Sequence, residues 1–146
     1  MTTALIDSGA GLAKLIEIVE LQGGDPKAIE SPDHLPTTVH QKEVPSPRTG
    51  FVSGIETESI GAAAMLLGAG RETVEDRIDA AVGLIVHKKI GDGVDEGEPL
   101  VTIHYNDATR LAETERLITD AYAIGEASPS APKLLRAVLN PEVSDS

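Results

Sequence analysis

Four groups of residues in this chain have side chains and spacing that could do chemistry. Gly68-Ala69-Gly70-Arg71 stands ahead of Thr73. A glycine turn opening a helix there would offer free backbone N–H groups and the positive end of a helix dipole to an anion. No Lys-Ser/Thr follows the glycines and no third glycine completes a dinucleotide fingerprint, so this is neither phosphate-binding motif. The commoner use of such a stretch is a helix end followed by a turn. Arg71 is its one strong donor and is the candidate for an anion or interdomain contact.

The histidines His34, His40, His87 and His104 raise a metal reading. None of them forms an i,i+4 helical pair or a short His-x-His, the spacings that place two ligands in advance. His87 and His104 fall on segments that can be neighbouring strands. Hydrogen-bonded, partly exposed histidines are the expectation, because general acid/base work needs a partner and a pocket that the sequence does not supply. Asp92, Asp95, Glu96 and Glu98 are too closely spaced for a calcium loop and run into Pro99, so a solvated turn is expected. Ser8 lacks the Gly-x-Ser-x-Gly frame of a nucleophile elbow and reads as a helix-start residue. The sequence therefore assigns no catalytic residue, no substrate-binding residue, no metal ligand and no cofactor.

Composition narrows the classes further. With 146 residues there is room for one core and little more. The absence of Cys excludes disulfide scaffolds, thiol catalysis and Cys-ligated metals. Lys and Arg number 12 against 24 Asp and Glu, a net charge of −12. That balance, with the basic residues scattered, argues against binding nucleic acid, whose phosphates need clustered cations. One Phe, two Tyr and no Trp leave little for base stacking and imply a core of Leu, Ile, Val and Ala. No apolar run approaches the roughly 20 residues that span a bilayer, and no basic flank marks a signal peptide, so a cytoplasmic chain without membrane contact is expected.

The elements that must carry these residues follow from periodicity. Leu5, Leu12, Leu15, Ile16 and Val19 predict an N-terminal helix ended by Gly23-Gly24 and Asp25-Pro26, with Gly9 and Gly11 weakening its first half. Ser31–Pro36 is a turn-rich connector. Val39–Val44 and Phe51–Ile55 read as strands around a Pro45–Gly50 turn, and Ser59–Leu67 as an Ala-rich helix. Thr73-Val74-Glu75-Asp76 fits a capping box. Gly83–Lys88 is an apolar strand, and Val94 sits between glycine turns. Leu100–Tyr105 alternates, with Val101, Ile103 and Tyr105 on one face and Thr102 and His104 on the other. Asn106 or Asp107 is expected to cap a last helix whose stripe is Leu111, Ile118 and Tyr122. A linker-like Glu126–Pro132 precedes an apolar patch, Leu134–Leu139.

Two resemblances emerge from the middle of the chain. Gly91-Asp92-x-Val94-x-x-Gly97-Glu98-x-Leu100 resembles the hairpins of biotinyl and lipoyl carrier domains, in which Val94 and Leu100 would plug a small flattened barrel. No Lys stands at the turn that would carry the prosthetic group. The longer match is to the C-terminal domain of pyrimidine-nucleoside phosphorylases, the thymidine phosphorylase family. It is carried by Ile60-Gly61-Ala62-Ala63-Ala64-Met65-Leu66-Leu67-Gly68-Ala69-Gly70-Arg71, then Glu75-Asp76-x-Ile78-Asp79, then Ala81-Val82-Gly83 and His87-Lys88-Lys89. Ser8-Gly9-x-x-Leu12-x-Lys14 and Gln22-Gly23-Gly24-Asp25 are similar to the end of that family's preceding α/β domain. The resemblance runs from about Ile6 to Gly125. It departs at Ala10-Gly11, where the family has Lys-Ala.

This resemblance implies an α+β fold: a small strand-rich barrel-sandwich-like (hammerhead) domain with an inserted helix, flanked by helices. It implies residues 1–33 as the terminal helix and connector of an α/β phosphorylase domain, and 34–146 as the C-terminal α+β domain. The implied family reaction is attack of phosphate on C1′ of a pyrimidine nucleoside, giving free base and pentose 1-phosphate. The family's Lys-His-Ser-Thr-Gly-Gly phosphate loop and its Arg…Ser…Lys base-binding set have no counterpart here. The expectation is a scaffold and interdomain-closure part, inert alone, whose partners are the N-terminal and α/β portions, with phosphate and nucleoside bound only by the whole enzyme. The first helix's apolar stripe, left uncovered, would self-associate as a homodimer or fold back. A stand-alone, non-catalytic binding or assembly module with a biotinyl/lipoyl-like fold is the alternative.

Overall fold

Gly9 divides the first apolar stripe in two. With φ of 72° it takes the left-handed conformation that ends one helix before the next begins. The structure, a computed structural model, describes residues 2–71 and 77–130, and the chain divides into two units, Met1–Thr37 and Thr38–Ser146. The first unit holds α1 (Thr2–Asp7), α2 (Ala10–Leu21), α3 (Lys27–Glu30) and a 3₁₀ turn over Pro32–His34. The single helix expected over this stretch is thus two, and the strain that Gly9 relieves is the reason. Ser8 lies at the break, where its Oγ accepts the Ala10 N–H at 3.4 Å. Lys14 and Glu17 pair one turn apart along α2 at 2.5 Å. No residue of α2 is buried, and Leu5, Leu12 and Leu15 keep 49%, 53% and 45% of their surface exposed.

The second unit contains β1 (His40–Pro45), β2 (Gly50–Ile55), α4 (Thr57–Ala64), a wider π-type turn over Met65–Ala69, β3 (Gly83–Val86), β4 (Gly93–Val94), β5 (Pro99–Tyr105), α5 (Leu111–Ala121) and β6 (Tyr122–Gly125). The strands form two three-stranded antiparallel sheets in the orders β1-β5-β3 and β4-β2-β6. The fold is α+β, with α4 inserted between β2 and β3 and packed against α5. Gly91 and Gly97 take φ of 100° and 84° in the turns on either side of β4, the conformation only glycine adopts without strain.

Ten buried residues form the core: Val44, Val52, Ala63, Val94, Leu100, Val101, Ile103, Ile118, Tyr122 and Ile124. Apart from Tyr122 it is aliphatic, as the composition requires. Val94 and Leu100, the two hairpin positions, are 4% and 0% exposed.

Several local expectations are corrected. β5 does not alternate between core and solvent, since Leu100, Val101, Thr102 and Ile103 are all buried. It is the central strand, covered on both faces, and such strands lose the period-two signature. The expected cap of the last helix lies too early. Asp107 instead accepts the Thr109 N–H at 2.8 Å in a local turn, and α5 begins after Arg110 with no side-chain cap. Tyr122 does not extend the α5 stripe but starts β6, which the apolar continuation of the helix pattern concealed. The helix expected from Ser59 begins two residues earlier, at Thr57, because Glu56 caps α4, accepting from Ser59 N at 2.6 Å and Glu58 N at 3.3 Å. The Thr73–Asp76 capping box and the Leu134–Leu139 patch lie outside the described residues.

Candidate functional site

The second unit carries a groove of about 650 Å³ lined by Thr49, Gly50, Phe51, Lys88, Gly93, Val94, Asp95, Glu98 and Glu126. Four stretches build it: the start of β2, the segment after β3, β4 with the turn that follows it, and the residue after β6. Their closeness depends on Gly50, where a Cβ would lie 2.5 Å from the Gly125 carbonyl oxygen. The Arg48 guanidinium donates to the Ile124 carbonyl and holds the same junction from the side.

Among the described residues Lys88 is the groove's only cation, and it is already engaged. Its ammonium, on a side chain 18% exposed, meets Glu98 at 2.5 Å and donates to the Gly93 carbonyl at 3.1 Å. Glu98 also accepts the Asp95 N–H at 3.0 Å. The hydrogen bond from Lys88, then that from Asp95, hold the Glu98 carboxyl below its ordinary pKa. Asp92 closes the neighbouring turn by accepting the Lys89 N–H at 2.7 Å. The acidic hairpin is thus tied back on itself, more structured than the solvated turn expected. Against one paired Lys the groove carries Asp95, Glu98 and Glu126, so its field repels phosphate.

Behind the groove the Tyr122 hydroxyl donates to the Lys88 carbonyl at 3.0 Å. Burial, and then the charge of Asp92, raise the Tyr122 pKa. Sequence reasoning missed Tyr122 and Arg48 as positioning groups. Their partners are backbone carbonyls some 34 and 76 residues away, which leave no local trace.

The structure does not gather the histidines. β3 and β5 are neighbours, but His104 sits opposite Gly83 while the His87 N–H reaches the Leu100 carbonyl, four residues further along the ladder. At about 3.3 Å per residue that is roughly 13 Å. His87 Nε2 contacts Thr102 Oγ1 at 2.7 Å, and His40 packs on Tyr105 with ring centroids 5.3 Å apart. His34 lies exposed in the 3₁₀ turn of the first unit. Among the described residues, no three His, Asp or Glu side chains converge as metal ligands would. Arg71 is exposed and follows the π-type turn, whose Gly68, at φ of 99°, turns its carbonyl to the Asp79 N–H at 2.9 Å. Among the described residues no helix is long and apolar enough to cross a membrane.

Two three-stranded antiparallel sheets, with a helix inserted in sequence between β2 and β3, define a small α+β domain. The chain belongs to the family of pyrimidine nucleoside phosphorylase C-terminal domains, which matches it over residues 51–125. It is 42% identical over 135 residues to the pyrimidine-nucleoside phosphorylase of Bacillus subtilis (strain 168), covering 92% of this chain and 31% of that protein. The pyrimidine-nucleoside phosphorylase of Staphylococcus aureus (strain bovine RF122 / ET3-1) is 50% identical over 101 residues, covering 69% of this chain and 23% of its own. That of strain USA300 is 48% identical over the same length. The chain thus spans between about a quarter and a third of the curated relatives it matches.

Proposed function

We propose that this chain is the scaffold and interdomain-closure part of a cytoplasmic pyrimidine-nucleoside phosphorylase. The whole enzyme would cleave thymidine or uridine with phosphate, releasing the free base and (deoxy)ribose 1-phosphate. The observation that carries the reading is the family match over 51–125, which spans both sheets except β1. A further observation supports it: the groove described is acidic, and its cation Lys88 is paired with Glu98.

On this reading residues 1–33 are the terminal helices and connector of the α/β portion, and 34–146 the C-terminal domain proper. The exposed Leu5, Leu12 and Leu15 side chains suit packing against that portion, since an apolar stripe of this kind otherwise drives self-association into a homodimer. Arg71 is the candidate for a contact with the neighbouring domain or with an anion held there. Catalysis by the family relies on holding phosphate and nucleoside together and stabilising charge as the glycosidic bond breaks. This chain's part is to keep a closing lobe rigid.

The test is phosphate-dependent release of thymine or uracil by the purified chain, with and without a separately expressed N-terminal portion of a related phosphorylase. No release alone, with recovery on mixing, is expected. Release by the chain alone overturns the proposal.

A further inference from the structure

β3, Gly83-Leu84-Ile85-Val86, ends its sheet without the charges or prolines that usually protect an edge strand. The His87 N–H donates inward to the Leu100 carbonyl at 2.9 Å, so Ile85 and Gly83 also turn their backbone groups toward β5. Leu84 and Val86 therefore turn theirs outward, where they meet no partner among the described residues. Beside them Ile85 is 49% and Val86 38% exposed. A hollow of about 270 Å³ lies alongside, lined by Ala81, Gly83, Leu84, Ile85 and His104.

The chain leaves β6 within reach of this edge. Ser128 Oγ donates to the Gly91 carbonyl at 3.3 Å, just beyond the end of β3. Residues 131–146 follow, outside the described ones, and include the apolar run Lys133-Leu134-Leu135-Arg136-Ala137-Val138-Leu139. Pro132 and Pro141 bracket that run, so every residue within it keeps a backbone N–H. From Gly91 back to Val86 the chain covers at most about 17 Å, and from Ser128 forward to Leu134 an extended chain reaches about 20 Å.

We propose that residues 134–139 of this same chain pair with the outer edge of β3 as a fourth strand of the β1-β5-β3 sheet. Coming from the Val86 end, the segment runs back toward Gly83, which is the antiparallel direction. Leu134 then lies opposite Val86 and Arg136 opposite Leu84, and four backbone hydrogen bonds use every outward group of β3. Leu135 falls beside Ile85 and Ala137 beside Gly83, on the face of the hollow, which their side chains cover. Charge favours the same occupant. Lys133 and Arg136 are the only charged residues of the run, and both are cations in a chain of net charge −12. The inference does not rest on the proposed enzymatic role.

Amide hydrogen exchange of the full chain tests it, at two protein concentrations and against the Arg136→Pro variant, which removes the N–H that meets the Leu84 carbonyl. The Leu84 and Val86 amides are expected to exchange about tenfold or more faster in the variant, while Ile103, paired with Lys42 of β1, is unchanged. The Ile103 amide thus reports whether the rest of the sheet has survived the substitution. A second reading needs no variant. Ile85 and Leu135 form a non-hydrogen-bonded pair with Cα atoms about 4.5 Å apart, so an NMR contact between their Hα atoms is expected. Absence of that contact, or free exchange of Leu84 and Val86 in the unaltered chain, overturns the proposal. So does protection that Arg136→Pro leaves in place. Protection that grows with concentration overturns it too, because the edge is then covered by another molecule.

Discussion

Asn106 donates from Nδ2 to Asp79 Oδ2 at 2.7 Å, across 27 residues of sequence. The same side chain accepts the Val39 N–H at 2.9 Å, and Asp79 accepts the Ala81 N–H at 2.9 Å. One amide thus ties the approach to β1, the end of β5 and the segment entering β3. The hydrogen bond from Asn106, then that from Ala81, hold the Asp79 carboxyl below its ordinary pKa. A carboxyl lowered in the folded state adds stability that is present above its unfolded value, near pH 4, and lost as pH falls through the folded value. Asn106→Ala should move the Asp79 titration back up toward that ordinary value, read by NMR of its carboxyl carbon. An unchanged titration would mean that Ala81 alone holds the charge.

Tyr122→Phe removes the only side-chain donor described at the Lys88 carbonyl. A loss of about 1–2 kcal/mol in urea unfolding is expected, the cost of a part-buried acceptor left without its partner. The pH dependence supplies a second reading. A tyrosine raised in the folded state contributes stability that is full below its unfolded pKa near 10 and lost as pH rises through the folded value. The Phe variant should lack that alkaline decline.

Gly50→Ala places a methyl 2.5 Å from the Gly125 carbonyl oxygen and 2.9 Å from Ile124 Cγ2. Backbone cannot yield as a side chain can, so β2 and β6 must separate. Overpacking of this kind costs about 1–3 kcal/mol, and loss of exchange protection at Gly125, the residue opposite Phe51, should accompany the lower unfolding midpoint.

Thr38→Val should stabilise the chain by about 1 kcal/mol, because the Thr38 hydroxyl is buried without a hydrogen-bond partner among the described residues and a methyl of the same shape carries no such demand. Thermal unfolding of the two proteins measures it. A lower midpoint for the Thr38→Val variant would place a bridging water on that hydroxyl.

Much of the fold was legible in the sequence where local chemistry decides it. The glycine turns around Val94, the burial of Val94 and Leu100, and the strands at 39–44, 51–55 and 83–88 all follow from turn residues and short apolar runs. What escaped was decided at a distance. β5 lost its alternation because a second layer covers Thr102, and β6 was hidden because Tyr122 and Ile124 continue a helical spacing until β2 captures them. The break at Gly9 was signalled only as weakness. For the groove, the acidic turn was visible, but the Lys88–Glu98 pair joins the segment after β3 to the β4–β5 turn and needs the fold to be seen.

The pairing of β2 with β6 bears on how the domain is made. Phe51 lies opposite Gly125, so the ribosome must add about 74 residues after Phe51 before its partner exists. At roughly 5–20 residues per second, the ribosome leaves that edge of β2 waiting for about 4–15 s. Val52, wholly buried in the finished core, is uncovered for all of that time. The second sheet therefore closes late, only once its last strand has emerged.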